Sequence, residues 1–181
     1  MGFILVNSFF GVIIIVSLIV LWFVWPPDSP WTPWWRTSRD KAEAAGKLAK
    51  ITSRDIIYEL GSGDANFLVA VSKKFGAKGV GIEIDVIRHL TAWLKVRIHN
   101  LSDRVTLKRG NFFDYDISDA TVVFVYLVPR VLEKLKPKLF EELAKGTKII
   151  SYKYKFEPKP KDRLRFVRSD TKNQIYLYKI T

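Results

Sequence analysis

Residues 59–66 read E-L-G-S-G-D-A-N and place an acid, two glycines and a hydroxyl between a short apolar run and a helical pattern. Glycines at such a turn let the backbone approach a ligand closely, because no Cβ stands in the way. Some twenty residues on, Glu83 lies near the end of a second apolar run, GVGIEI at 79–84. That is where a carboxylate takes both hydroxyls of a ribose. A G-x-G turn alone is common. Strand, turn, helix, strand and acid in series point to a nucleoside-binding cofactor site. The third glycine of the dinucleotide fingerprint is missing, since Ala65 stands two positions after Gly63. The turn is therefore suited to a ligand without a pyrophosphate.

These residues need elements to hold them, and the patterning supplies a series. Residues 38–50 predict a helix with Ser38 or Thr37 as cap. Strands are expected at 55–60, 79–84, 105–108, 121–127, 147–155 and 174–180. Helices are expected at 66–75, at 86–99 with Ile87, Leu90, Leu94 and Ile98 near one face, and at 130–143, where Pro137 should end or kink the first part. Apolar strands alternating with helices imply an α/β fold, a mostly parallel sheet covered on both faces. The terminal strand, close behind another, suits an antiparallel partner.

Composition narrows the chemistry. The 181 residues hold no cysteine, which excludes a disulfide scaffold, a cysteine zinc site and a cysteine nucleophile. Two histidines, His89 and His99, do not make a metal site. The net charge is +12, and every formally charged side chain lies at or after Asp28. Residues 3–25 are apolar apart from Asn7, Ser8, Gly11 and Ser17. As a helix they span about 34 Å, enough to cross a hydrocarbon core of about 30 Å. No basic residue precedes the run and no A-x-A pattern follows it, so a membrane anchor fits better than a cleaved leader. Trp22, Trp25, Trp31, Trp34 and Trp35 gather at its C-terminal end, and Arg36, Arg39 and Lys41 follow. Both features predict a single pass with the domain on the cytoplasmic side. Residues 153–168 hold seven Lys/Arg against two acids and could face anionic lipid, nucleic acid or solvent.

From about Pro33 to the end the chain resembles the class I, seven-strand, S-adenosylmethionine-dependent methyltransferases. Within them it is similar to the small protein-lysine methyltransferases of archaea and bacteria. It is similar also to their mitochondrial relatives that modify the adenine nucleotide translocase and the ATP synthase c subunit. The resemblance rests on AKITSRDIIYELGSGD, GIEID, GNFFDYDISDATVVFVYLVP and LKPKL…GTKIIS. It implies a Rossmann-like sheet over 55–181, a cofactor-covering segment within 28–54, and an anchor at 1–27. It implies S-adenosylmethionine as cofactor, with Glu59, Gly61, Ser62 and Gly63 along its methionine and ribose portions. Glu83 would hold the ribose hydroxyls, Asn111 and Phe112 would meet the adenine, and Pro33, Trp34 and Thr37 would close over the cofactor. Where relatives carry Asp-Gly-Arg, this chain has Asp64-Ala65-Asn66.

Methyl transfer from a sulfonium to an amine is an in-line displacement that depends on positioning and desolvation. A lysine amine must first be neutral, against a reference pKa of about 10.4, and an apolar aromatic channel favours that form. Phe112, Phe113, Tyr115, Tyr126, Tyr152 and Tyr154 fall near strand ends, and Tyr126 is the first choice for the channel wall. Asp114, Asp116 and Asp119 are read as a solvated loop, and neither histidine is given a role. The expected partner is a protein with an accessible lysine, an integral membrane protein being one such candidate. Among rivals, a dehydrogenase lacks its second half. Cytosine C5 methylation lacks its cysteine, and adenine amino methylation lacks its Pro-Pro motif at Tyr126-Leu-Val-Pro129. An RNA methyltransferase and an inactive tethered scaffold are the alternatives carried forward.

Overall fold

The computed structural model describes residues 10–19 and 36–181. Residues 10–19 are helical with their apolar side chains largely exposed. Among the described residues no helix is long and apolar enough to cross a membrane. The rest of the expected anchor, with its tryptophans, lies outside them.

Seven strands form one sheet in the order β3-β2-β1-β4-β5-β7-β6. They are β1 Ile56–Leu60, β2 Lys78–Glu83, β3 Val105–Arg109, β4 Val122–Val125, β5 Lys148–Tyr152, β6 Leu164–Asp170 and β7 Ile175–Ile180. The first five are parallel, and β7 pairs antiparallel with both β5 and β6. The helices are α1 Arg39–Ala49, α2 Asn66–Phe75, α3 Val86–Ile98 and α4 Pro129–Glu142. β4 is a continuous apolar strand and β1 is apolar but for Glu59, because both their faces are covered. On one face Ala42, Ala45, Phe67, Leu68, Ala92 and Val96 from α1 to α3 share a core with Val122, Phe124 and Ile150. On the other, Leu132, Leu135 and Leu139 of α4 pack with Val123, Val125 and Ile149. Asp55 ties the start of β1 to β4 by accepting from the Thr121 hydroxyl at 2.9 Å.

One strand lies outside the expected series, and two expected helices carry features that their periodicity left open. β6 was hidden in the basic stretch 153–168 and is largely exposed at the sheet edge, so it carries no apolar run to betray it. Pro137 sits inside α4 without ending it, because packing of Leu132, Leu135 and Leu139 outweighs one lost hydrogen bond. The stripe Ile87, Leu90, Leu94, Ile98 does not face the sheet. α3 buries the small Ala92 and Val96 and leaves the stripe exposed.

Candidate functional site

The strand order reverses between β1 and β4, and in such sheets a crevice opens at the C-terminal strand ends there. β1 delivers Glu59 and the turn that follows. The Gly61 and Ser62 amides both donate to the Ile82 carbonyl, at 2.9 and 3.0 Å, fastening the turn to β2. Gly61 and Gly63 take φ of 77° and 53°, where a Cβ would crowd the next carbonyl. Ala65 also lies there, at φ 56°, as the N-cap of α2. The glycine of the family pattern would hold that conformation without a Cβ.

Glu83 is gripped by the backbone. The Gly63 N–H donates to its Oε2 at 2.7 Å and the Asp85 N–H to its Oε1 at 2.9 Å. Each oxygen keeps a lone pair for a further donor. The Gly110 N–H donates to the Glu83 carbonyl at 2.9 Å, which brings Asn111 and Phe112 alongside. Asn111 Oδ1 caps the short 3-10 turn Phe112–Asp114 by accepting from the Phe113 N–H at 3.1 Å.

Glu59 is buried, and its Oε2 has no hydrogen-bond partner; neither has the buried Ser62 Oγ. Burial pushes the Glu59 carboxyl well above the usual carboxylate range, and the Asp64 and Glu83 charges add to this. The Leu68 amide and Lys95 oppose them. A Cβ on Gly81 would stand 2.9 Å from Ser62 Oγ, so the missing side chain gives that hydroxyl its room. Two orphaned buried acceptors beside an open turn and a ribose-type carboxylate fit a cofactor that brings an ammonium and hydroxyls. The neighbouring Asp64 accepts from Lys95 Nζ at 2.6 Å and pairs with Arg36 Nε at 3.1 Å. Lys95 also donates to Asn66 Oδ1 at 2.5 Å. Thr37 is buried next to Arg36, whereas Pro33 and Trp34 lie outside the described residues.

The expected aromatic group divides. Tyr126 and Tyr152, at the ends of β4 and β5, meet edge to face with centroids 4.6 Å apart. A tight turn after β5, closed by the Ser151 hydroxyl on the Tyr154 carbonyl at 2.6 Å, adds Tyr154. Burial, then Tyr152 and Tyr154, push the Tyr126 hydroxyl up to about 12, and burial raises Tyr152. These phenols stay protonated at neutral pH. Phe112 and Phe113 pair with each other on the β3–β4 connection at 4.7 Å. Tyr115 braces that connection, its hydroxyl donating to the Arg109 carbonyl at 2.8 Å. Asp116 ties its own loop by accepting from the Ser118 amide and hydroxyl, at 2.9 and 3.0 Å.

Sequence reasoning passed over His89. Its Nδ1 is buried with no hydrogen-bond partner, and burial and Arg109 lower its pKa while Glu83 opposes them. A neutral imidazole one helical turn after the Glu83-Ile84-Asp85 corner is thus a further candidate contact. Its place in the first turn of α3 was the available signal. Among the described residues no group of His, Cys, Asp and Glu is placed to hold a metal ion.

Residues 59–163 match the model of the ANTKMT methyltransferase domain. The chain belongs to the ANTKMT methyltransferase family. Its methyl donor is accordingly S-adenosylmethionine, the cofactor that the family resemblance implied. The chain is 34% identical over 156 residues to a protein-lysine N-methyltransferase of Saccharolobus islandicus, covering 85% of this chain and 95% of that one. It is also 34% identical to an RNA methyltransferase of Salinibacter ruber solved with S-adenosyl-L-homocysteine, with a TM-score of 0.72 over 81% of this chain and 94% of that one. An O-methyltransferase of Bacillus cereus shares the fold at 15% identity, TM-score 0.64, over 82% and 84% of the two chains.

Proposed function

We propose that this family member is a membrane-anchored methyltransferase that modifies lysine side chains of proteins. The observation that carries the reading is the pair Tyr126 and Tyr152, phenols held neutral in edge-to-face contact beside the strand ends that bear the cofactor turn. When bound, S-adenosylmethionine would supply a methyl group on a sulfonium, and the neutral amine would form its bond to that methyl as the bond to sulfur breaks and the thioether leaves. Glu59 and Ser62 would offer their unpaired oxygens to its donors, and Glu83 would hold the ribose hydroxyls. Asn111, Phe112 and His89 would contact the adenosine, and Thr37 would cover it; the expected contact from Trp34 lies outside the described residues. Tyr126 and Tyr152 exclude water from the entering amine, so that its neutral form is favoured and its lone pair is aimed rather than solvated. Tyr126 and Tyr152 are poor bases at neutral pH, since burial raises both phenols above their ordinary range.

Residues 3–25 supply the anchor, with the domain on the cytoplasmic side. About eight residues separate the apolar run from Pro33, and at ~3.5 Å each they hold the site within about 28 Å of the bilayer. Tethering raises the effective concentration of membrane-borne targets, so substrate lysines near the membrane surface are favoured. RNA is the second reading, favoured by the +12 charge and by the relative from Salinibacter ruber, which is named for that substrate.

The test incubates the full-length protein with radiolabelled cofactor and a membrane extract. Protease-sensitive label, mapped by mass spectrometry to lysines, supports the proposal. Label removed by ribonuclease overturns the substrate assignment.

A further inference from the structure

α3 has its amphipathicity turned outward. Ile87, Leu90, Leu94 and Ile98 form one stripe, 43%, 57%, 54% and 66% exposed, and Ile84 and Trp93 extend it at 42% and 45%. The helix is held to the sheet by the much smaller Ala92 and Val96. A continuous row of large aliphatic side chains on the outside of a domain marks a surface that something covers. Its charge restricts what that is. From Val86 to Ile98 the helix carries Arg88, Lys95 and Arg97 and no acid, and Arg97 lies over the Trp93 ring at 4.0 Å. Lys73, Lys74, Lys108 and Arg109 stand on the neighbouring α2 and β3. A second copy would bring another +12 against this face, whereas an anionic surface complements it.

The chain's path places such a surface within reach. The Asp64 carboxylate oxygen that accepts from Lys95, in the last turn of α3, also pairs with Arg36, so the first residue after the anchor's linker is fixed beside this helix. Ten residues, 26–35, separate Arg36 from the apolar run, at most about 38 Å of chain. An apolar stripe flanked by basic residues, set parallel to its own axis, is what an interfacial helix presents to lipid. We infer that α3 lies on the bilayer, its Ile87–Leu90–Leu94–Ile98 stripe inserted among the headgroups of anionic lipids. The inference rests on the proposed anchor. It adds a second contact, which fixes how the domain is rotated on the membrane and therefore which way the site opens.

The absence of cysteine allows clean single-site labelling of the full chain. Leu94→Cys on α3, Glu141→Cys on α4 across the sheet, and Leu18→Cys in the anchor are each labelled with a small environment-sensitive fluorophore. Each is then reconstituted into nanodiscs of phosphatidylcholine with 30 mol% phosphatidylglycerol. Shallow lipid-borne nitroxides should quench the α3 probe at least threefold more than the α4 probe, and iodide should reach it less. Replacing the anionic lipid by phosphatidylcholine should reduce that difference. An α3 probe open to iodide and unquenched by nitroxides overturns the inference, because the stripe then faces water. A probe shielded from both overturns it too, because protein then covers the helix, whether residues 20–35 or a partner. Deep nitroxides at Leu18 report the anchor separately. A silent Leu18 with a quenched Leu94 would remove the anchor and keep the α3 contact.

Discussion

Glu59 should have opposite effects on stability and on cofactor affinity. With no partner for Oε2, the empty protein holds a buried carboxyl whose pKa lies well above its ordinary 4.5, chiefly through burial. Between that value and the raised one, the native state keeps a proton that the unfolded chain has released. Stability then falls as pH rises, by up to ~1.4 kcal/mol per pH unit for one proton. The depressed carboxyls of Asp55, Asp116, Asp162 and Asp170 act the other way, but their contribution is complete above about pH 5 and flat beyond it. Glu59→Gln removes the slope, so the variant should gain on the parent progressively from pH 5 upward in urea unfolding without cofactor. With cofactor the sign reverses. An ammonium that pairs with the Glu59 carboxylate gains about 1.5–3 kcal/mol from a charged hydrogen bond, so Glu59→Gln should weaken S-adenosyl-L-homocysteine binding about 10- to 150-fold by calorimetry. Parallel stability curves for the two proteins would refute the burial account, and an unchanged Kd would remove Glu59 from the site.

Glu83→Ala should cost about 1.5–3 kcal/mol of cofactor affinity by calorimetry, and it also strands the Gly63 and Asp85 amides that the carboxylate now accepts from. Gly81→Ala should lower stability by about 1–3 kcal/mol and weaken cofactor binding, because the new Cβ meets Ser62 Oγ and Leu107 at 2.9 Å. Tyr126→Ala should reduce kcat about tenfold or more with cofactor affinity little changed, and Tyr126→Phe should restore most of it, since the channel needs the ring rather than the hydroxyl. Deleting residues 1–27 should leave a folded protein that binds cofactor as the full chain does; an aggregated product would place that segment in the domain's core. In the full chain, anchoring should raise the rate on a membrane-embedded lysine relative to a soluble one, and an equal ratio would end the proximity argument.

Much of the fold was legible because it is written locally. β4 is an unbroken apolar run and β1 is apolar but for Glu59, and the turn Gly61–Gly63 requires residues that tolerate positive φ, so strand, turn and helix could be placed within a residue or two. The acid at Glu83 was found by its distance along the chain from that turn. What the sequence could not display were properties arising between distant segments. β6 has an ordinary basic composition and becomes a strand only by pairing with β7 along its length. Tyr115, read as a channel aromatic, is a strut because its hydroxyl finds the Arg109 carbonyl, while Tyr126 and Tyr152 meet because β4 and β5 are neighbours. His89 gained significance only when burial left its ring nitrogen alone near Glu83. The periodicity of α3 gave a stripe and not its direction. A repeat of 3.6 residues says that one face is apolar, and the sheet, by accepting Ala92 and Val96, decided that this face would look outward.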